Sequence, residues 1–348
     1  MGVAEQPGYD LEPGSPLVRG RQGEALFPQG IGGNLSADCC PYCWQGFGES
    51  LFLRARNNEI TYGVPTVGSL VGVTNPLQLG PAGVVDADYE PAFRAGAARR
   101  LDECSTLGVA YTRFESESIS ELHVLDPQVL FPLVLNSSVL ATDPVWRDAF
   151  ARQDVDFQLA DVEYRWSFAS DSRYDVALLL GARYANLTQA ASVAFFATGG
   201  TGVGDETLFS DVKFDGGGVR IGLEGERRAA NCGLLVYGKA AASFLAGDFR
   251  ANLLQARGVD GGAVPVVDSS WEAGRVVSML DLELGAGWTG LEGRLRLSGG
   301  YMISGWFNTV RNTDWIRAVQ TGDFAALGDG SDKVITFDGI VARAELRF

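Results

Sequence analysis

Ten segments of this chain alternate between apolar residues and polar or small ones, the period-two signature of a β-strand with two unlike faces. In the closing segment Ile340, Ala342, Ala344, Leu346 and Phe348 share one face, while Val341, Arg343, Glu345 and Arg347 share the other. The segment from Ala160 sets Val162, Tyr164, Trp166 and Phe168 against Asp161, Glu163, Arg165 and Ser167. Similar strands are expected at 47–56, 91–99, 106–112, 174–184, 219–226, 234–244, 280–288 and 294–304. In the first of these, Leu51, Leu53 and Ala55 form the apolar parity and Ser50, Arg54 and Arg56 the polar one. Short turns at 99–104, 169–172, 227–231 and 289–293 alternate with five long connections. Alternation of this kind, with an even strand count, predicts an all-β fold: a single antiparallel up-and-down transmembrane β-barrel with short periplasmic turns and long outer loops. About ten strands are expected, twelve being the next count. Trp166, Phe168, Tyr174, Trp288 and Phe348 would mark one membrane interface, and Tyr111, Tyr184, Phe244 and Phe307 the other.

The composition agrees with a barrel. The chain of 348 residues has 45 Gly, 19 Phe, 10 Tyr and 7 Trp, and no run of eighteen apolar residues that a helical span would need. Formal charge is −15. The five long connections carry −4 (57–90), −5 (114–154), −3 (188–212), −1 (248–271) and −2 (307–332), which is the whole of it. An acidic outer rim excludes a nucleic-acid partner and attracts cations, with divalent cations at the acidic loops a possible partner. Residues 1–45, rich in Gly, Pro and Cys, read as a flexible periplasmic N-terminal tail, and 46–348 as the barrel. The opening MGVAEQPGYD has neither the basic nor the apolar region of a secretory signal, so an export signal is expected to be cleaved or to lie upstream.

If the apolar parity faces lipid, the polar parity lines the lumen. That set is Arg54, Arg94, Asp161, Glu163, Arg165, Asp175, Arg183, Arg220, Glu224, Lys239, Asp281, Glu283, Arg294, Arg296, Arg343 and Glu345. Such a bore is either a wet channel or a closed network of ion pairs. Arginines from the first two and last two strands would form a basic wall near the barrel's closure, facing acids from the fourth and eighth. Cys39, Cys40, Cys43, Cys104 and Cys232 all fall at the periplasmic side and are disulfide candidates, either within the tail or between the tail and a turn. Three thiolates without a nearby histidine make a poor zinc site, and Cys40-Pro41-Tyr42-Cys43 lacks the βαβ setting of a redox dithiol. His123, the only histidine, lies in the 114–154 connection without a recognisable catalytic constellation, so no enzyme and no cofactor are expected.

The strand texts FGESLFLRAR, DADYEPAFRAGAARRL, VDFQLADVEYRWSF, ALLLGARYANL, FDGGGVRIGLEGE, YGKAAASFLAGDF and VARAELRF resemble the Legionella major-outer-membrane-protein-like, pore-forming family, also abundant in planctomycetes. The resemblance spans about 46–348 and implies a barrel in the bacterial outer membrane, surrounded by outer-membrane lipid, with pore formation or envelope structure as its role. The expected function is therefore passive diffusion of small hydrophilic solutes with a weak cation preference. The alternative is a plugged structural barrel without transport, packed against homo-oligomer or lattice neighbours, or an adhesin-like role for the 114–154 loop.

Overall fold

The computed structural model describes residues 43–67, 77–139, 145–171, 173–199, 204–229, 233–259, 262–328 and 333–348. Ten antiparallel strands close into a barrel: β1 (Trp44–Arg56), β4 (Glu90–Arg100), β5 (Ser105–His123), β7 (Val145–Ser170), β8 (Tyr174–Gly199), β9 (Glu206–Arg228), β10 (Leu234–Val259), β11 (Gly262–Gly290), β12 (Leu295–Phe307) and β13 (Val334–Arg347). The first and last strands seal it, pairing from Gln45 opposite Arg347 to Arg56 opposite Thr336. Three short strands, β2 (Ile60–Val67), β3 (Gly83–Val85) and β6 (Gln128–Pro132), form a separate small sheet from the outer connections. One helix, α1 (Asn312–Thr321), lies between β12 and β13.

The expected parity holds at membrane level. Leu180, Ile221, Leu282 and Leu346 are 43, 49, 42 and 55 % exposed on the outer wall, where hydrocarbon is the solvent. Outward Trp44, Trp166, Phe168, Tyr174, Trp288 and Phe348 ring the periplasmic rim, and Phe52, Phe93, Tyr111, Tyr184, Phe244 and Tyr301 ring the outer one. At the periplasmic rim the Asp102 carboxylate accepts from the Ser105 hydroxyl and from the Cys104 amide at 2.8 Å, which holds its pKa below the usual carboxylate range and fixes the β4–β5 turn.

Strand length departs from expectation. β7, β8 and β10 have 26 residues each and β11 has 29, so a 26-residue strand reaches ~85 Å, far beyond the 9–11 residues a membrane needs. The connections expected at 114–154, 188–212 and 248–271 are largely strand. Their reason is visible in β7. Below Ala160 its outward residues are Val162, Tyr164, Trp166 and Phe168, with Asp161 buried inside; above it Arg152 and Asp154 face out, while Ala151, Val155, Phe157 and Leu159 are buried inside. Once the outer surface leaves hydrocarbon for water, the apolar parity switches sides. β1 enters this upper region right after Glu49. Leu51, Leu53 and Ala55 therefore point inward, and Arg54 lies on the outward face with Phe52, paired with Asp86 at 2.6 Å. The sequence expectation for β1 was reversed on this account.

The upper bore is filled by chain folded inward. Three buried wall glutamines hold three of these segments: Gln153 donates to the Asn58 carbonyl at 2.5 Å, Gln189 to the Val310 carbonyl at 2.8 Å, and Gln255 accepts from the Asn136 amide at 2.9 Å. Gln320 of α1 donates to the Leu133 and Leu135 carbonyls, both at 2.9 Å, tying the helix to the segment after β6. Trp315 and Ile316 of α1, Trp146 of β7 and Phe195 of β8 join one apolar core. Tyr62 of the small sheet is buried in it with its hydroxyl 3.1 Å from Ser120 Oγ, and burial raises its pKa, so it stays a neutral phenol.

A polar clasp crosses the seam on the outside. Asp338 of β13 accepts from Arg56 of β1 in a two-pronged pair, from Tyr301 of β12, and from Tyr89, which precedes β4 and stacks on Phe52 with centroids 5.7 Å apart. Asp338→Asn is expected to lower unfolding free energy by about 1–3 kcal/mol. Arg113→Ala, which loses an exposed, solvent-screened pair with Glu115, should leave stability unchanged; the check is the temperature at which each folded barrel loses its compact electrophoretic mobility. Parity switching is tested along one face of β8. Leu180→Arg should destabilise by roughly 2–4 kcal/mol, whereas Thr188→Arg, eight residues up the same face, should stay within about 0.5 kcal/mol.

Candidate functional site

At membrane level the bore holds a layer of buried charge. Arg183, whose side chain is 1 % exposed, sits between Asp161 (2.6 Å) and Asp281 (2.7 Å). Arg220 joins Glu163 (2.6 Å) to the same Asp281 (2.5 Å), and Ser304 donates to Asp281 at 2.6 Å. On the facing wall Glu49 receives Arg94 at 2.9 Å and Arg343 at 3.1 Å. Towards the periplasm Arg165 pairs with Asp175, Arg296 with Glu226 (2.6 Å), and Glu345 with both Arg343 (3.2 Å) and Arg347 (2.9 Å).

Small residues on the inner parity make room for this layer. A Cβ on Gly96 would lie 2.5 Å from the Phe47 ring, over which the Arg343 guanidinium stacks at 4.1 Å. Cβ atoms on Gly285 and Gly300 would lie 2.7 and 2.9 Å from Tyr237, whose hydroxyl donates to Glu283 at 2.8 Å.

Fourteen of the sixteen expected lumen residues thus lie inside: Arg94, Asp161, Glu163, Arg165, Asp175, Arg183, Arg220, Glu224, Lys239, Asp281, Glu283, Arg296, Arg343 and Glu345. Two do not. Arg54 faces outward for the reason given above, and Arg294 belongs to the β11–β12 turn, where its carbonyl accepts from the Arg347 amide. A segregated basic wall is not formed either, because Glu49 sits between Arg94 and Arg343. Glu49, Glu226 and Tyr237 complete the layer without having been expected in it. Glu49 was legible as an acid on the parity opposite Phe52, had β1 been assigned the other way round.

Directly above the charges, wall side chains meet across the bore. Phe157 packs on Phe114 (5.2 Å), Phe337 (4.7 Å) and Trp306 (5.7 Å), drawing β5, β7, β12 and β13 together. Phe214 and Phe249 stack at 4.8 Å on the β9–β10 side. Below the charges a cavity of about 240 Å³ opens towards the periplasmic turns. It continues through one of about 110 Å³ into one of about 100 Å³ among Arg94, Arg183 and Asp281, all three sharing Glu224, Lys239 and Arg343 as walls.

His123 lies on the outer face with its Nδ1 2.5 Å from Asp148 Oδ1, both side chains exposed. Among the described residues, no three acidic, histidine or cysteine side chains converge as a cation site. No disulfide joins the described cysteines: Cys104 is exposed in the β4–β5 turn and Cys43 precedes β1. Cys39, Cys40, Cys232 and residues 1–42 of the expected tail lie outside the described residues, while Trp44 and Gln45 at its end already belong to β1.

A family model described as the Legionella pneumophila major outer membrane protein precursor matches residues 39–330. The chain belongs to this family. It is an outer-membrane β-barrel, and the match covers every strand text that carried the resemblance except the closing VARAELRF. No curated protein matches it. Among solved structures it is similar to the outer membrane protease OmpT of Escherichia coli, at 10 % identity and TM-score 0.46, covering 90 % of this chain and all of that one. It is also similar to a Pseudomonas aeruginosa FadL homologue, at 11 % identity and TM-score 0.29, covering 88 % and 89 %.

Arg183→Met leaves Asp161 and Asp281 buried against each other and is expected to cost about 3–5 kcal/mol. Adding Asp161→Asn should recover part of that loss; a double variant no more stable than the single one would contradict mutual neutralisation of the layer.

Proposed function

We propose that this family member is an outer-membrane barrel sealed to solutes, a structural element of the envelope with a periplasm-facing vestibule. The aromatic layer of Phe114, Phe157, Trp306 and Phe337 carries this reading. Its rings belong to the wall, not to a loop, and lie at van der Waals contact, so solute passage needs four side chains on four strands to part. Above it α1 and the small sheet pack as a protein core would, with Trp146, Trp315, Phe195 and Phe337 fully buried. Below it the bases and acids of the bore neutralise each other instead of lining a wide aqueous path. The outer mouth is then a protein surface suited to contact with neighbours.

A second reading, passive diffusion of small hydrophilic solutes, is favoured by the run of water-sized cavities from the periplasmic side to the charged layer. In that reading the aromatic layer is a gate, and the acidic outer connections give a weak cation preference. Planar-bilayer recording of the purified, folded chain separates the two. The sealed barrel inserts without steady current; stable ohmic steps from the unaltered protein would overturn it in favour of the pore, and the sign of the reversal potential in a salt gradient would then test cation preference.

A further inference from the structure

The barrel wall is uneven in height. β11 pairs with β10 along its whole length, from Gly262 opposite Val259 to Trp288 opposite Leu234, but with β12 only from Ser278 downward. The outer aromatic ring passes this wall at Phe244, the cross-strand partner of Ser278. Residues 262–277 of β11 therefore stand outside the membrane, with no strand along one edge among the described residues. The Thr289 amide donates towards β10, to the Gly233 carbonyl at 2.8 Å, and the register from Val267 to Gly290 has no bulge. Odd positions thus serve β10 and even positions face the other side. The Val276 carbonyl agrees, accepting at 2.9 Å from Asn308 Nδ2, just past the end of β12. Asp268, Ser270, Glu272 and Gly274 turn their backbone N–H and C=O groups to the open edge, and all four residues are exposed.

An edge of this kind is a template for another strand, and its two faces say what that strand would carry. On the inward parity Val267 and Trp271 are half-buried against the plug core, with Trp271 6.4 Å from Trp315 of α1, so an added strand sets apolar residues there. Arg275, on the same parity, is turned to the Leu327 carbonyl and the Trp271 ring. On the outward parity Asp248 and Asp268 have no cation within 4 Å among the described residues, and Glu272 has an exposed pair with Arg250 at 3.0 Å. Asp268 also closes a groove of about 460 Å³ over β8 to β10, where it joins Asp154 and Asp211 against Arg152, with Lys213 beside Asp211 at 2.8 Å. The outward residues of an added strand meet surplus acid, so basic ones fit.

A second copy of the chain is the poorer occupant. β5 above Phe114 is the other open edge of this tall sheet, and it runs antiparallel to β11, as pairing with a neighbouring upright barrel requires. Its outward Glu115, Glu117 and Glu121 outnumber Arg113, and like charges set opposite each other destabilise a strand pair.

We propose that the open upper edge of β11 is a docking site for an extended segment of a partner protein in which basic residues alternate with apolar ones. The segment adds a strand to the wall, its backbone on Asp268, Ser270, Glu272 and Gly274, its basic side chains outward and its apolar ones beside Trp271. The edge lies outside the bore, so the site stands apart from whether the barrel conducts.

A fluorescent peptide of about ten residues alternating lysine and valine, titrated by anisotropy against the folded, detergent-solubilised full chain, tests it. Saturable binding at one site is expected, weakening as salt is raised. Ser270→Pro removes an N–H that β10 does not use and should weaken binding roughly tenfold or more. No saturable binding, equal affinity in folded Ser270→Pro, or a glutamate–valine peptide that binds as tightly overturns the proposal. So does sedimentation of the unaltered chain as a dimer that Ser270→Pro dissolves, which gives the edge to a second copy. Should Ser270→Pro fail to fold, Asp268→Lys decides: unchanged or tighter binding overturns it.

Discussion

The solvent outside the wall changes part-way up each long strand, and the rest of the structure follows from that. Hydrocarbon requires every outward residue to be apolar and leaves the inward parity free for charge. Water above the membrane removes the requirement, and the apolar residues move to the other parity because there is now an interior to fill. On β8 the change falls between Tyr184, still outward, and Leu187, buried inside; on β9 it falls between Val219, outward, and Phe214, inside. A strand that keeps its pleat while its two faces exchange roles builds a charged bore and an apolar plug in one continuous sheet.

Each half of the bore then has its own way of excluding loosely held water. In the membrane-level half the side chains are long and charged, and stability depends on pairing. Arg183, Arg220 and Glu49 each bridge two partners of opposite sign, so the pairs are cross-linked into a network. In the upper half the fill is aromatic and aliphatic, but the segments folded into it bring backbone carbonyls and amides that need partners. Gln153, Gln189 and Gln255 meet that need from the wall. Their placement on three different strands explains how three separate connections are held inside one mouth.

Much of this was legible in the sequence, and the errors have one cause. All ten barrel strands, the short periplasmic turns and fourteen lumen side chains follow from a period-two pattern read on the assumption that apolar means outward. The same assumption ended β5, β8 and β10 too early and began β7, β9 and β11 too late, because residues such as Arg152 and Asp154 on the outward face looked like loop. It also turned β1 inside out, since Leu51, Leu53 and Ala55 are apolar for the sake of the plug, not the lipid. The plug itself left little trace: Phe114, Phe157 and Phe337 are single aromatics separated by more than forty residues or by most of the chain, and only barrel closure brings them within 6 Å. Arg294 shows a different limit, that a turn residue continues the alternation by chance.

The two ends of the barrel are chemically unlike, and the ring contacts of Phe114, Phe157, Trp306 and Phe337 lie between them. The outer connections hold the whole negative charge of the chain, yet exposed acids among them meet arginines in loose pairs such as Arg152 with Glu117 at 3.3 Å, which water and salt screen. The periplasmic end has fewer charges, and they are confined between low-dielectric walls where pairing counts for more: Arg165 meets Asp175, Arg296 meets Glu226, and Arg343 and Arg347 meet Glu345. A single wall of ten strands thus carries acids that water screens at its outer end and a recess of mutually paired acids and bases at the other.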